Sequence, residues 1–277
     1  MSGSIEDIVP DDLWQTMILT SELGRHPVQF FDCTGSTNDL ALILSNTGAP
    51  DGTLVVADSQ SAGRGRLAGR AWHSPPGTGL YFSLILRPHL APADFPKLTL
   101  AAGLALCKAL ESHTHCLPGL KWPNDLFLHG KKCAGILTET QAVAGAGQTA
   151  VVIGIGLNVN TPAEAFVGEM RAKATSLLAE TGIPYDRGPL LAAILAELDL
   201  VVARLEQADF PGILAEWRQR DTHAGQLVSW VNTQGRVVTG IFLGPDEEGF
   251  LHIRDGQGQI HSVISGDISL AQEVNLP

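Results

Sequence analysis

Residues 126–144, LFLHGKKCAGILTETQAVA, and 149–159, TAVVIGIGLNV, are the stretch on which the fold turns. The first opens on a short apolar run, reverses at His129-Gly130 and continues from Lys132 to Thr140. Gly145-Ala146-Gly147 then turns the chain into the second, so three antiparallel strands follow one another. Upstream, Val28–Phe31, Thr53–Ala57 and Gly79–Leu86 read as further strands. Helices are expected over Asp12–Leu23, after Ser36 with Leu40, Ile43 and Leu44 as its apolar face, and over Phe95–Leu110. Leu120-Lys121-Trp122 reads as a strand end. Downstream, Pro189–Glu206 and Ile213–Arg218 carry helical spacing. From Gly225 the pattern changes to short strands cut by Asn232–Gly235, Gly244–Gly249, Asp255–Gly258 and Ser265–Asp267, the rhythm of a small barrel. The expected division is a lead-in over residues 1–27, a main domain over 28–222 and a small domain over 223–277.

The balance of 18 basic and 29 acidic residues gives a net charge of −11, which argues against a broad cationic face for nucleic acid or anionic membrane. A content of 44% hydrophobic and 17% charged residues marks a chain that can bury a sizeable core. Cys33, Cys107, Cys116 and Cys133 have no CxxC spacing, which fits free thiols in a reducing cytoplasm. The acidic N-terminus has neither the basic nor the apolar region of a signal peptide, and no apolar run reaches the length of a membrane span. A cytoplasmic protein is expected.

Three stretches carry candidate chemistry. Ser59 through Ala93 contains no Asp or Glu, where the chain-wide frequency of 29 in 277 would place about four. Within it stand Arg64, Arg66, Arg70 and Arg87, loosened by Gly63, Gly65 and Gly69. In an acidic chain this suits a small anion, held by forked guanidinium donors and close backbone N–H groups. A mobile, solvated Arg/Gly loop is the plainer alternative. Lys121-Trp122-Pro123-Asn124-Asp125 holds a lysine at a strand end, either between two anionic groups or in a structural turn paired to Asp125. Gly154 and Gly156 strip one face of an apolar strand, which admits a ligand or marks a bulge or tight crossing. His113, His115 and Cys116 lack the second half of a metal site.

In their order and spacing, Ser36-Thr37-Asn38, Gln60–Arg66, Trp72, Lys121–Asp125, Lys132–Ile136 and Gly154–Asn158 resemble the biotin–protein ligase family. The tail from about residue 225, with Ser265-Gly266-Asp267, is similar to that family's C-terminal barrel. The resemblance implies an α+β fold: a class II synthetase-like catalytic domain with a mixed, largely antiparallel sheet flanked by helices, plus a Src-homology-3-like β-barrel. It implies that ATP with Mg²⁺ activates biotin to biotinyl-5′-AMP, and that biotin then passes to a lysine of a biotin carboxyl carrier domain.

Carried over residue by residue, Ser36, Thr37, Asn38 and Gln60 would bind the ureido end of biotin, with Gly135 and Gly154 beside it. Arg64, Gly65 and Arg66 would lie on the loop over the biotinyl carboxylate and the nucleotide phosphate. Lys121 would bridge carboxylate and α-phosphate. Trp72 would pack near the adenine, with Asn124, Lys132 and Asn158 on the nucleotide side. Lys121 and Asp125 are candidates for the base that frees the acceptor amine. Only 35 residues precede Ser36, and they are acidic, so no DNA-reading domain is expected. Monomer and homodimer both stay open. The alternatives are a lipoate–protein ligase with the same adenylate chemistry and a non-catalytic biotin-binding regulator.

Overall fold

The computed structural model describes residues 27–67, 69–142, 149–231, 237–264, 266 and 268–271. The helix expected over Asp12–Leu23 and the turns at Gly145–Gly147 and Asn232–Gly235 lie outside the described residues. Seven strands form the first sheet: β1 (Val28–Thr34), β2 (Leu54–Gln60), β3 (Gly79–Leu86), β4 (Gly119–Lys121), β5 (Asp125–Leu128), β6 (Lys131–Ala142) and β7 (Thr149–Asn158). Their spatial order is β1-β2-β3-β7-β6-β5-β4. Only β1 and β2 run parallel; the β5-β6-β7 meander is the antiparallel run that the sequence predicts.

Both faces of this sheet are covered, which is why its central strands read as nearly continuous apolar runs. On one face, α2 (Phe95–His113), α3 (Arg187–Glu206) and α4 (Phe210–Arg218) pack on Leu80, Phe82, Leu84, Ile153, Ile155 and Leu157. On the other, α1 (Thr37–Asn46) covers only part of the sheet, over a small cluster of Ala41, Val55, Ile85, Ala150 and Val152. Beyond its N-terminal end the same sheet face continues as Gly154 and Gly156 of β7 and Gly135 of β6, and there a cleft opens.

The orientation of α1 differs from the expected one. Leu40 and Leu44 pack against that cluster as expected, but Ile43 is 61% exposed, and Thr37, Asn38, Ala41 and Ser45 are the residues the helix buries. Ser83 of β3 meets Asn38 Oδ1 and Thr37 Oγ1 beneath the helix, which satisfies these buried polar groups, and the small Ala41 and Ser45 allow close approach. Ser36 caps the helix as predicted, accepting from the Asp39 N–H at 3.5 Å.

The second sheet is antiparallel and has the order β11-β10-β9-β8-β12, built from β8 (Leu227–Val231), β9 (Val237–Pro245), β10 (Leu251–Asp255), β11 (Ile260–Val263) and β12 (Ile268–Leu270). Its Val228, Trp230, Phe242, Leu251 and Ile253 join the same hydrophobic core as α2 and α4. Polar ties reinforce the contact: Trp122 Nε1 donates to Gly249 O at 3.1 Å, and Arg218 Nη2 to Pro245 O at 2.6 Å. The connecting segment is itself bonded to the first sheet, with Leu120 bridged to Asp221.

Candidate active site

The cleft encloses about 470 Å³, open to solvent. Ser36, Thr37, Asn38, Gln60, Arg64, Gly65, Arg66, Trp72, Asn124, Lys132, Gly135 and Gly154 all line it. Residues from five separate stretches of sequence thus meet around one space.

One end is built from α1 and β2. Gln60 Oε1 accepts from the Thr37 N–H at 2.9 Å, and Gln60 Nε2 donates to Ser74 Oγ at 2.8 Å. Ser83, buried under α1, donates to Asn38 Oδ1 at 2.7 Å and is 2.9 Å from Thr37 Oγ1. Asn38 Nδ2 donates to Leu137 O at 3.1 Å and to Glu139 Oε2 at 2.8 Å. Both amide protons of Asn38 are therefore committed within the protein, so its part in the cleft is to hold the wall in place.

The floor is glycine. A Cβ on Gly154 would overlap Asn38 Oδ1, and one on Gly156 would overlap the Trp72 indole. The bare strand face expected from these glycines is thus occupied by two side chains of the site itself. The Trp72 ring lies against Gly135 and Gly156, its Nε1 is buried without a hydrogen-bond partner, and Lys132 Nζ stands 5.5 Å from the ring centroid.

The cleft is roofed by a hairpin-like loop. The Gly65 N–H donates to Arg70 O at 2.7 Å and the Trp72 N–H to Gly63 O at 2.9 Å, with Arg64 bridged to Ala71. Its two arginines have different company. Arg64 Nη2 lies 2.6 Å from Asp39 Oδ1 and 2.7 Å from Glu139 Oε2, so two carboxylates surround one guanidinium. Hydrogen bonding to Glu139 is the main cause that holds its proton still more tightly than usual. Among the described residues Arg66 bonds neutral groups: Nε donates to Asn124 Oδ1 at 3.3 Å, and Nη2 to the Gly266 carbonyl of the second sheet's domain at 2.5 Å.

Two expected residues stand outside the lining. Asn158 is buried and donates to Thr175 O at 2.9 Å, which ties β7 to the following loop. Lys121 places Nζ 5.7 Å from the Phe127 ring centroid. The pairing of Lys121 with Asp125 is corrected, because Asp125 Oδ1 is 2.5 Å from Lys132 Nζ. β6 carries Lys132 toward β5 beside Asp125, and no comparable ion pair holds Lys121 among the described residues. Lys121, Asp125, Gly135 and Gly156 are nonetheless register partners across four adjacent strands. At about 4.8 Å per strand, the Lys121 backbone stands about 10 Å from Gly135, on the row that leads to the cleft floor.

Sequence reasoning missed Ser83 and Glu139. Each left a trace: Ser83 is the lone hydroxyl inside the apolar GLYFSLIL run, and Glu139 shares strand parity with Gly135. No group of three His, Cys, Asp or Glu side chains able to hold a metal ion occurs among the described residues.

Residues 30–158 match the model of the Biotin/lipoate A/B protein ligase family, and 231–271 that of the biotin protein ligase C-terminal domain. The chain is 38% identical over 255 residues to the bifunctional ligase/repressor BirA of Bacillus spizizenii, covering 91% of this chain and 76% of that protein. It is 35% identical over 240 residues to the biotin–[acetyl-CoA-carboxylase] ligase of Mycobacterium tuberculosis, covering 85% of each. The biotin protein ligase of Aquifex aeolicus, solved with biotin and ATP, superposes with a TM-score of 0.76 at 31% identity, over 89% of this chain and 99% of that one. With a relative of this identity matched over most of its length and both family domains present in order, the chain belongs to the biotin/lipoate protein ligase family, on its biotin–protein ligase branch.

Proposed function

We propose that this cleft runs both half-reactions of a biotin–protein ligase, with biotin lying from the Ser36–Gln60 end toward Arg66. The chain is an ATP-dependent, AMP-forming ligase of biotin, and its relatives' names point to a carboxylase's biotin carrier as the acceptor. A biotin carboxylate oxygen attacks the α-phosphorus of ATP; the new P–O bond forms as the bond to the β-phosphate oxygen breaks, and pyrophosphate leaves. The acceptor lysine's neutral amine then attacks the carbonyl carbon of biotinyl-5′-AMP. The C–N bond forms, the anhydride C–O bond breaks, AMP leaves and the amine loses a proton.

The observation that carries the orientation is the unequal neutralisation of the two loop arginines. Arg64 is offset by Asp39 and Glu139, so its end of the cleft carries no net positive charge and suits a neutral, hydrogen-bonding ureido head. Arg66 has Asn124 Oδ1 and the Gly266 carbonyl as its partners among the described residues, and suits the carboxylate and phosphate. Two unit negative charges about 4 Å apart repel by about 4 kcal/mol at an effective dielectric near 20. Arg66, together with Lys121 once its side chain leaves the Phe127 ring, offsets that repulsion as the anions approach. Bound to the ATP phosphates as part of the substrate, Mg²⁺ would supply Lewis-acid neutralisation there.

Asp125 is paired with Lys132, and Lys121 serves here as a cation, a role that a base for the acceptor amine cannot share. The chain's net charge of −11 argues against a broad DNA-binding face, and four cysteines without CxxC spacing suit a reducing cytoplasm; among the described residues no helix is long and apolar enough to cross a membrane. A division into a catalytic part over residues 28–222 and a small barrel over 223–277 belongs to this reading, and the presence of two separate sheets supports it.

The test is transfer. With biotin, MgATP and an isolated biotin carrier domain, the domain should gain one biotin on a single lysine, dependent on ATP. Failure to modify the carrier, with adenylate demonstrably formed, would contradict the proposed acceptor.

A further inference from the structure

Glu139 touches the cleft only through other side chains, and every contact it makes there holds part of the wall. It stands on β6, two and four residues beyond the cleft-lining Leu137 and Gly135 and on the same sheet face. Glu139 Oε1 accepts from Arg64 Nη1 at 3.3 Å, and Oε2 accepts from Arg64 Nη2 at 2.7 Å and from Asn38 Nδ2 at 2.8 Å. One carboxylate therefore joins three elements: the strand it sits on, helix α1 through Asn38 and the roofing loop through Arg64. The Arg64 contact is the forked, two-point pairing that fixes direction as well as distance. Asp39 also meets Arg64, but its side chain is 52% exposed against 27% for Glu139, so solvent screens the Asp39 contact more. Arg64 itself sits on the stem of the loop, bridged to Ala71, where a fixed guanidinium pins the whole hairpin.

We propose that Glu139 is a positioning residue for biotin activation: by clasping Arg64 it fastens the Gly63–Trp72 loop over the cleft and so governs retention of biotin and of the adenylate. This rests on the ligase reading of the cleft. The clasp acts on closure, while the anions meet Arg66 and Lys121. Loosening it therefore opens the roof without removing the charges that stabilise the transferring phosphoryl group.

The experiment compares the full-length wild type with Glu139→Gln, Arg64→Lys, Arg64→Ala and the double variant Arg64→Ala/Glu139→Gln. Three readouts are taken: thermal midpoint, biotin KM and kcat in ATP–pyrophosphate exchange, and the release rate of preformed biotinyl-adenylate. Glu139→Gln is nearly isosteric and removes the charge. It should raise biotin KM and adenylate release about tenfold, the loss of one charge-assisted contact. Exchange kcat should move far less, with the thermal midpoint near that of wild type. Arg64→Lys, which keeps the charge and loses the fork, should fall between wild type and Arg64→Ala. The double variant should be no worse than Arg64→Ala, because both changes break one clasp. Wild-type release from Glu139→Gln, or single effects that multiply in the double variant, would overturn the clasp while leaving the ligase reading intact. A wild-type chain that makes no adenylate from biotin and MgATP would overturn both.

Discussion

Charge compensation distinguishes residues that the sequence presents as equals. Arg64 and Arg66 are two positions apart in one glycine-rich loop, yet one guanidinium is held by two carboxylates and the other, among the described residues, meets neutral oxygens. Likewise Lys132 is ion-paired within the cleft, while Lys121 rests against an aromatic face outside the lining. A string of residues reveals a cation but not its compensating partner, because that partner comes from a strand far away in sequence. Lys121→Ala should slow adenylate formation about a hundredfold, the usual cost of losing one charged group aimed at a developing transition state. Arg66→Ala should let biotinyl-adenylate escape and label bystander lysines. Stopped-flow pyrophosphate release and a labelling assay on a bystander protein measure the two effects. Wild-type pyrophosphate release from Lys121→Ala, or tight adenylate retention by Arg66→Ala, would contradict these roles.

At the level of the element, α1 and the glycine strands work as one device. The helix covers part of a sheet face, and its polar N-terminal residues border the glycine part, on which Asn38 and Trp72 pack. The meander of β5, β6 and β7 was legible from turns and apolar runs, since those signals are local. The rotation of α1 was not, because its buried polar bonds to Ser83 depend on β3 lying beneath it. Nor could the sequence tell that Asn38 and Trp72 fill the space above the two glycines. Gly154→Ala should therefore push Asn38 out of its socket and weaken biotin binding more than tenfold, the loss expected when a buried hydrogen-bonded amide is displaced. Isothermal titration checks it, and near-normal affinity would show that the close approach has no bearing on the ligand.

For the whole molecule, the seam between the two sheets carries a pair of oppositely perturbed groups. Burial raises the Asp221 carboxyl to about 6. Burial, helped by the charge of Lys121, lowers His223 to about 4. Between about pH 4 and 6 the unfolded chain has released the aspartate proton that the folded chain keeps, so Asp221 makes stability fall as pH rises. Over about pH 4 to 6.5 the unfolded chain holds a histidine proton that the folded chain lacks, so His223 makes stability rise with pH. The two contributions oppose each other over most of that range. Removing one should expose the other: His223→Gln should lose stability as pH rises from 4 to 6, and Asp221→Asn should gain it. Urea midpoints across that range decide, and parallel profiles for the two variants would contradict the account. The strand rhythm of the second sheet was legible because short strands with turn residues are a local pattern. Its shared core with α2 and α4, and the bond from Gly266 O to Arg66, are long-range contacts that no local signal encodes.

The central claim is that this cleft activates biotin as its adenylate. ATP–pyrophosphate exchange with biotin and lipoate in parallel tests it most directly. The account predicts exchange that depends on biotin and is not supported by lipoate. Exchange driven by lipoate, or none with biotin from protein that still binds it, would contradict the account.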